Sequence, residues 1–162
     1  MTNIHKETII YAPISICFDL SRSIDLYSLA ANNERAVEGR KSGLIVKGDS
    51  VTWRAKHFGI VHQMTVELSD VIKPYFFADR MIHGPFKYMI HTHVFQQFGK
   101  ATVMRDDFEY KLPCSWLGKV VDRMLIRGYM TKLLEHRNRV IKMLAESGEW
   151  KNFLTTFNLQ NV

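Results

Sequence analysis

The sequence predicts an α+β domain in which a strongly curved antiparallel sheet of about seven strands closes on one long C-terminal helix. Three observations predict it. Apolar and polar residues alternate with a period of two from Glu34 to Lys111. Short turns bearing Gly or Pro break that stretch at intervals too brief for crossover helices, so the strands must be antiparallel. After Pro113 the apolar spacing becomes helical. With 162 residues, 46% of them hydrophobic and 23% charged, the chain has the size and composition of one globular domain.

The elements follow in order. Asn3 to Tyr11, rich in Ile and Thr, reads as a strand, and Ala12-Pro13 ends it. Pro13 suits the first turn of a helix that places Ile14, Cys17, Phe18 and Leu20 at helical spacing. A second short helix over Ile24–Ala31 is closed by Asn32-Asn33. About six strands come next, with turns expected at Phe58-Gly59, Lys73-Pro74, Gly84-Pro85 and Phe98-Gly99.

A two-residue loop at Phe58-Gly59 sets Trp53 opposite Met64 and Ala55 opposite His62. The same loop at Phe98-Gly99 sets Phe95 opposite Thr102, His93 opposite Met104 and His91 opposite Asp106. Inward residues meet inward residues in both hairpins, as register requires.

The final helix is expected from about Ser115 to Glu146. Its stripe is not straight: Leu117, Val121, Met124 and Gly128 share one face, while Met130, Leu133, Leu134 and Ile141 lie nearly opposite. The helix therefore bends near Arg127-Gly128 or is gripped on different sides along its length. Gly148 supplies a stop, which makes residues 1–148 the domain. The tail of residues 149–162 carries Trp150, Phe153, Leu154 and Phe157, too apolar to dangle, and is expected to dock on the body or on a second copy of the chain in a homodimer.

The net charge is +6. Much of it sits in the last helix, where Lys119, Arg123, Arg127, Lys132, Arg137, Arg139 and Lys142 outnumber Asp122, Glu135 and Glu146. Without aromatic interleaving this reads as a solvated helix face, and nucleic acid is not expected as a partner. No apolar run reaches the ~18–20 residues of a membrane span. The start, MTNIHKETII, lacks the basic and apolar regions of a signal peptide. Cys17 and Cys114 are too few for a disulfide framework and read as reduced thiols in a cytoplasmic protein. There is no nucleophile elbow, phosphate loop or dinucleotide fingerprint, which removes the common hydrolases, kinases and dehydrogenases as far as motifs can.

The candidate site lies on the inward face. Trp53, Met64, Phe95, Met104 and Phe108 form an apolar wall there, joined by Met124 from the helix. Five polar residues share the same parity: His57, His62, His91, His93 and Asp106. Burying such groups unpaired costs on the order of 1–3 kcal/mol each, so they must pair with one another, with water or with a ligand. An Asp106 carboxylate opposite His91 would fix its tautomer, making either a general base with its orienter or a buried pair that sets strand register.

His91 and His93, about 6.6–6.8 Å apart on one strand, have a spacing that chelates zinc when Asp106 or Asp79 approaches. Asp79 faces inward if Lys73-Pro74 closes a tight loop, but reaching the histidines needs an odd-length connection or a bulge around His83–Phe86. No Cys joins the set, and the expectation is no metal and no cofactor. His57 and His62 flank a turn at a sheet end, where a mouth or plain solvation are both open readings. Arg35 is the candidate for an anionic ligand group, since Arg54 has outward parity.

The order of elements resembles the helix-grip fold of the START-related SRPBCC superfamily over residues 3–146. The motifs are Ala12-Pro13 before the helix containing Phe18, the central Gly84-Pro85-Phe86, and the strands His91-x-His93-x-Phe95 and Asp106-x-Phe108-x-Tyr110 ending at Pro113. They look most like a bacterial ligand-binding branch near the polyketide cyclase/dehydrase proteins. The resemblance implies an apolar small molecule held between sheet and helix, without a metal. Binding of a cyclic or lipid-like molecule is the leading expectation. An acid–base enzyme of cyclase or dehydratase type using His91 and Asp106 is the rival. A stress-response interaction module using the basic helix or the tail is the third reading.

Overall fold

The computed structural model describes residues 1–31, 34–113 and 125–158, with the backbone alone over 155–158. Strand β1 (Thr2–Ile10) leads into helices α1 (Ile14–Ser21) and α2 (Ile24–Ala30). Six strands follow: β2 (Glu34–Gly39), β3 (Ser50–His57), β4 (Ile60–Ile72), β5 (Phe76–His83), β6 (Tyr88–Phe98) and β7 (Ala101–Lys111). Helices α3 (Arg127–Ser147) and α4 (Trp150–Asn158) complete the chain. All seven strands form one antiparallel sheet in the order β1-β7-β6-β5-β4-β3-β2. This is the α+β arrangement the alternation and turns predict, and the helix-grip order the resemblance implies. Met124 and the expected first part of the long helix lie outside the described residues, as do Cys114 and Asn32-Asn33.

Local chemistry explains the corners. The Ser23 hydroxyl caps α2 by accepting from the Leu26 N–H at 3.2 Å. Gly148 ends α3 with φ 80°, where a side chain would be strained. At Phe58-Gly59 both residues take positive φ, 52° and 80°, as a two-residue turn matched to strand twist requires. Trp53 therefore faces Met64 and Ala55 faces His62. Gly39 is needed for another reason: a Cβ there would lie 2.2 Å from the Ser50 carbonyl oxygen.

The β6–β7 hairpin corrects the expected register. Its turn is Gly99-Lys100, with Phe98 opposite Ala101. Glycine takes the first central position, where its φ of 56° carries no side-chain penalty. Every pair shifts by two: Phe95 faces Met104, His93 faces Asp106, and His91 faces Phe108. A shift of two preserves which residues point inward.

The core divides into two halves along α3. Toward its C-terminus, Ile141, Leu144 and Ala145 are buried in solid packing with β1 and α1. Phe18 of α1 meets Phe77 and Phe95 edge-on at 5.6 and 5.5 Å between ring centroids. Trp150, Phe153 and Leu154 of α4 pack against this same core, α4 lying beside α1 and α3. Toward the N-terminus of α3, the sheet and helix stand apart and leave a cavity.

Candidate functional site

The cavity holds about 150 Å³ between the concave sheet, α2 and α3. Trp53, Met64, Phe77, Met89 and Phe108 supply an apolar wall, and Met130, Leu133 and Leu134 face it from α3. Besides Ser21, Arg22 and Ser23 at the α1–α2 junction, polar groups enter at three places. His91 and Asp79 come from the sheet, Arg137 from α3, and Glu34, Tyr27, His57 and His62 from the end nearer the β3–β4 turn.

Behind His91 lies a fully buried cluster. Asp106 accepts a hydrogen bond from His91 Nε2 at 3.1 Å and another from Asn138 Nδ2 at 2.6 Å. Its Oδ1 is also 2.7 Å from His93 Nδ1. The His91 and His93 rings are 3.9 Å apart, and Phe77 stacks on His93 at 4.1 Å. Burial, together with nearby His91, pushes His93 down to about 3, so its ring is neutral at ordinary pH. Burial alone would raise Asp106, but its histidine contacts outweigh that and hold it well below the usual carboxylate range. The hydrogen bond from His91 favours the ionised carboxylate, and Asn138 donates to its other oxygen.

Asp79 sits directly opposite His91 on the neighbouring strand, and its Oδ2 is 3.8 Å from His93 Nε2. It arrives there by two compensating irregularities. The turn takes three residues, Lys73-Pro74-Tyr75, and a bulge at Ser69 then restores Leu68 opposite Asp79. Between Arg80 and Ile90 the connection has an odd length, so Asp79 and His91 share a face. Burial raises the Asp79 carboxyl, opposed by His91 and Arg137.

At the other end, His57 links strand and helix. Its Nδ1 is 2.6 Å from the Tyr129 hydroxyl and its Nε2 is 3.4 Å from Glu34 Oε1. Phe58 packs on Tyr129 at 4.8 Å, tying the hairpin tip to α3. Burial raises Glu34, with His57 opposing, and raises Tyr27 well above the ordinary phenol value. The Arg137 guanidinium lies 4.8 Å over the Tyr27 ring and donates to the Ser21 carbonyl at 2.8 Å.

Several expected site residues stand elsewhere. Arg35 faces Arg54 on the outer side, because the inward position on β2 belongs to Glu34, opposite Ala55. Phe95 and Met104 are buried but do not line the cavity, since α1 fills the concave side there. His93 and Asp106 are packed behind His91 rather than exposed to the space. Trp53, His57, His62, Met64, Asp79, His91 and Phe108 do line it.

Besides Ser21, Arg22 and Ser23 at the α1–α2 junction, four polar residues escaped the sequence reading: Glu34, Tyr27, Arg137 and Asn138. The last two carried a usable signal. They fall between Leu134 and Ile141, in phase with the buried stripe of α3 rather than on its solvated face. Tyr27 lies three residues after buried Ile24 on the same face of α2.

Solved structures share this architecture. A START superfamily protein from Mycobacterium smegmatis superposes with a TM-score of 0.64 at 13% identity, covering 90% of this chain and 97% of that one. The major latex-like protein 151 of Panax ginseng gives 0.62 at 12%, covering 89% and 97%. TTHA0849 from Thermus thermophilus gives 0.68 at 17%, covering 86% and 97%. The fold is the helix-grip fold of START-related proteins. Neither a protein-family model nor a curated protein matches the sequence. At these identities the helix-grip relatives establish architecture, and the chemistry rests on this chain's own residues.

Proposed function

We propose that this helix-grip protein binds a hydrophobic small molecule, cyclic or lipid-like, in the cavity between sheet and α3. The observation that carries the reading is the apolar cavity with few, convergent polar groups. Its volume of about 150 Å³ is of the size that accepts a benzene-like ring when apolar. Arg137 and His91 meet the ligand's polar atoms, while Trp53, Met64 and Phe108 bury its rings or chain. Arg137 is the natural partner of an anionic group, because its Nε–H is buried without a hydrogen bond among the described residues. The low cysteine count, Cys17 and Cys114 alone, supports a cytoplasmic setting.

A second reading, acid–base catalysis at His91, is favoured by its hydrogen bond to Asp106. It predicts that a folded His91→Gln variant loses turnover once a substrate is offered. The interaction-module reading has less to stand on. Arg137 of the basic helix points into the cavity, and Trp150, Phe153 and Leu154 are taken up by the core.

The test fills the space. Ala55 is buried, lines the cavity and faces His62 across the β3–β4 ladder. Ala55→Phe puts a ring where the ligand would lie, with Ala30→Leu as a second filler from α2. Calorimetric titration with benzoate, an anionic single-ring probe matched to the cavity, should show one site per chain in the parent. A folded filler variant should weaken it by about tenfold or more, the loss of ~1.4 kcal/mol of binding. Equal probe binding in both folded variants would overturn the assignment.

A further inference from the structure

His93 presents an unusual problem. Its side chain is 1% exposed, and while Nδ1 lies 2.7 Å from Asp106, Nε2 makes no hydrogen bond among the described residues. Buried polar atoms are normally paired, and an orphaned imidazole nitrogen invites a partner that is not a protein group. That nitrogen does not stand alone. Asp79, His91 and His93 each offer one donor atom, and the three lie within 4.8 Å of one another. We propose that Asp79, His91 and His93 form a binding site for a borderline divalent transition metal, such as zinc, at the inner wall of the cavity.

The surroundings have the form such a site requires. Two imidazoles and one carboxylate are a donor set for zinc or ferrous iron, and both cations accept further ligands from outside the protein. Bonds of about 2.0–2.1 Å place tetrahedral donors about 3.3 Å apart. His93 Nε2 and Asp79 Oδ2 are already at 3.8 Å, close to that value.

Metal-bound histidines are usually held by a carboxylate on their other ring nitrogen. Asp106 does this here: it accepts from His91 Nε2, lies 2.7 Å from His93 Nδ1, and is itself held by Asn138. Asp106 therefore orients the ligands and does not coordinate. This reverses the sequence-level expectation, in which Asp106 was the equal of Asp79 as third ligand. Asp79 and His91 line the cavity, so the remaining coordination positions face it and take a polar atom of whatever the cavity holds.

This inference rests on the same cavity as the proposed function but not on the nature of its apolar ligand. The test uses the metal alone. Full-length protein stripped with chelator is titrated calorimetrically with zinc chloride, and in parallel with cobalt(II) read by visible absorption. One zinc per chain at low-micromolar or tighter Kd is expected. Cobalt should give intense bands of a low-coordinate site that zinc abolishes. Asp79→Asn, a half-buried isosteric change, should weaken zinc by about tenfold or more with an unchanged far-UV spectrum.

Absence of stoichiometric binding at that affinity overturns the site, as does binding that folded Asp79→Asn leaves intact. Should Asp79→Asn fail to fold, the parent's cobalt spectrum decides, and weak, water-like bands overturn the site. Probe binding without zinc binding removes the metal and keeps the hydrophobic cavity. Zinc binding without probe binding does the reverse.

Discussion

Replacing Asp106 by Asn tests the buried cluster at its centre. The carboxylate is 1% exposed and accepts from His91 Nε2 at 3.1 Å and Asn138 Nδ2 at 2.6 Å. Asparagine keeps the shape but replaces one acceptor with an NH₂ donor. With its oxygen toward Asn138, that NH₂ faces the His91 N–H, donor against donor. Losing a charge-assisted hydrogen bond costs ~1.5–3 kcal/mol, and an unpaired buried donor adds ~1–3 kcal/mol. Against this, the fold no longer has to desolvate a carboxylate, which returns part of the loss. The net expectation is a destabilisation of ~3 kcal/mol. For a chain of this length that lowers Tm by about 6–12 °C. Urea unfolding followed by far-UV circular dichroism, in chelator so that no metal contributes, measures it at constant m-value. A loss under ~1 kcal/mol would refute the claim that Asp106 is an ionised acceptor in the native state.

Two further expectations concern titration. His93 has a folded pKa of about 3, below the unfolded value of 6.5, so the unfolded chain binds the extra proton in that window. Its contribution is complete above pH 6.5 and is lost as pH falls toward 3, by at most ~5 kcal/mol. Chelator-treated protein should lose stability steeply across that range, and a flat profile would contradict the burial of a neutral ring. Burial raises the Cys17 thiol from 9.0 to about 11, so between those values the unfolded thiol ionises while the folded one does not. Stability should fall by up to ~3 kcal/mol over that alkaline window. In a Cys114→Ser background, Cys17 should react with Ellman's reagent only as fast as the protein opens. A free-thiol rate in the native state would count against its burial.

How far the sequence could be read depended on whether a local signal existed. Phe58-Gly59 was legible because a two-residue turn with positive φ at both positions is a property of those two residues. Phe98-Gly99 misled by one position, since glycine prefers the first central place, and the register moved by two. Inwardness survived that error and partnership did not: Asp106 moved from opposite His91 to opposite His93. Asp79 was placed correctly on the inward face, although a longer turn and a bulge had to cancel to put it there. Arg35 failed because β2 reaches β3 through a long connection with no tight turn to set phase, and its ladder is broken between Ala36 and Glu38.

The sequence by itself determined the sheet, the approximate places of its turns and which side chains of β3–β7 lie on the concave face. Those follow from a period of two and from turn chemistry, both local along the chain. Only the tertiary structure decided which of the inward groups meet. The β5–β6 pairing brings Asp79 to the two histidines, and the docking of α3 delivers Asn138 to Asp106 and Arg137 to the cavity. Such contacts depend on register between strands distant in sequence and on the rotation of a helix about its axis. Neither is encoded in any short segment, and both are settled only when the whole core packs.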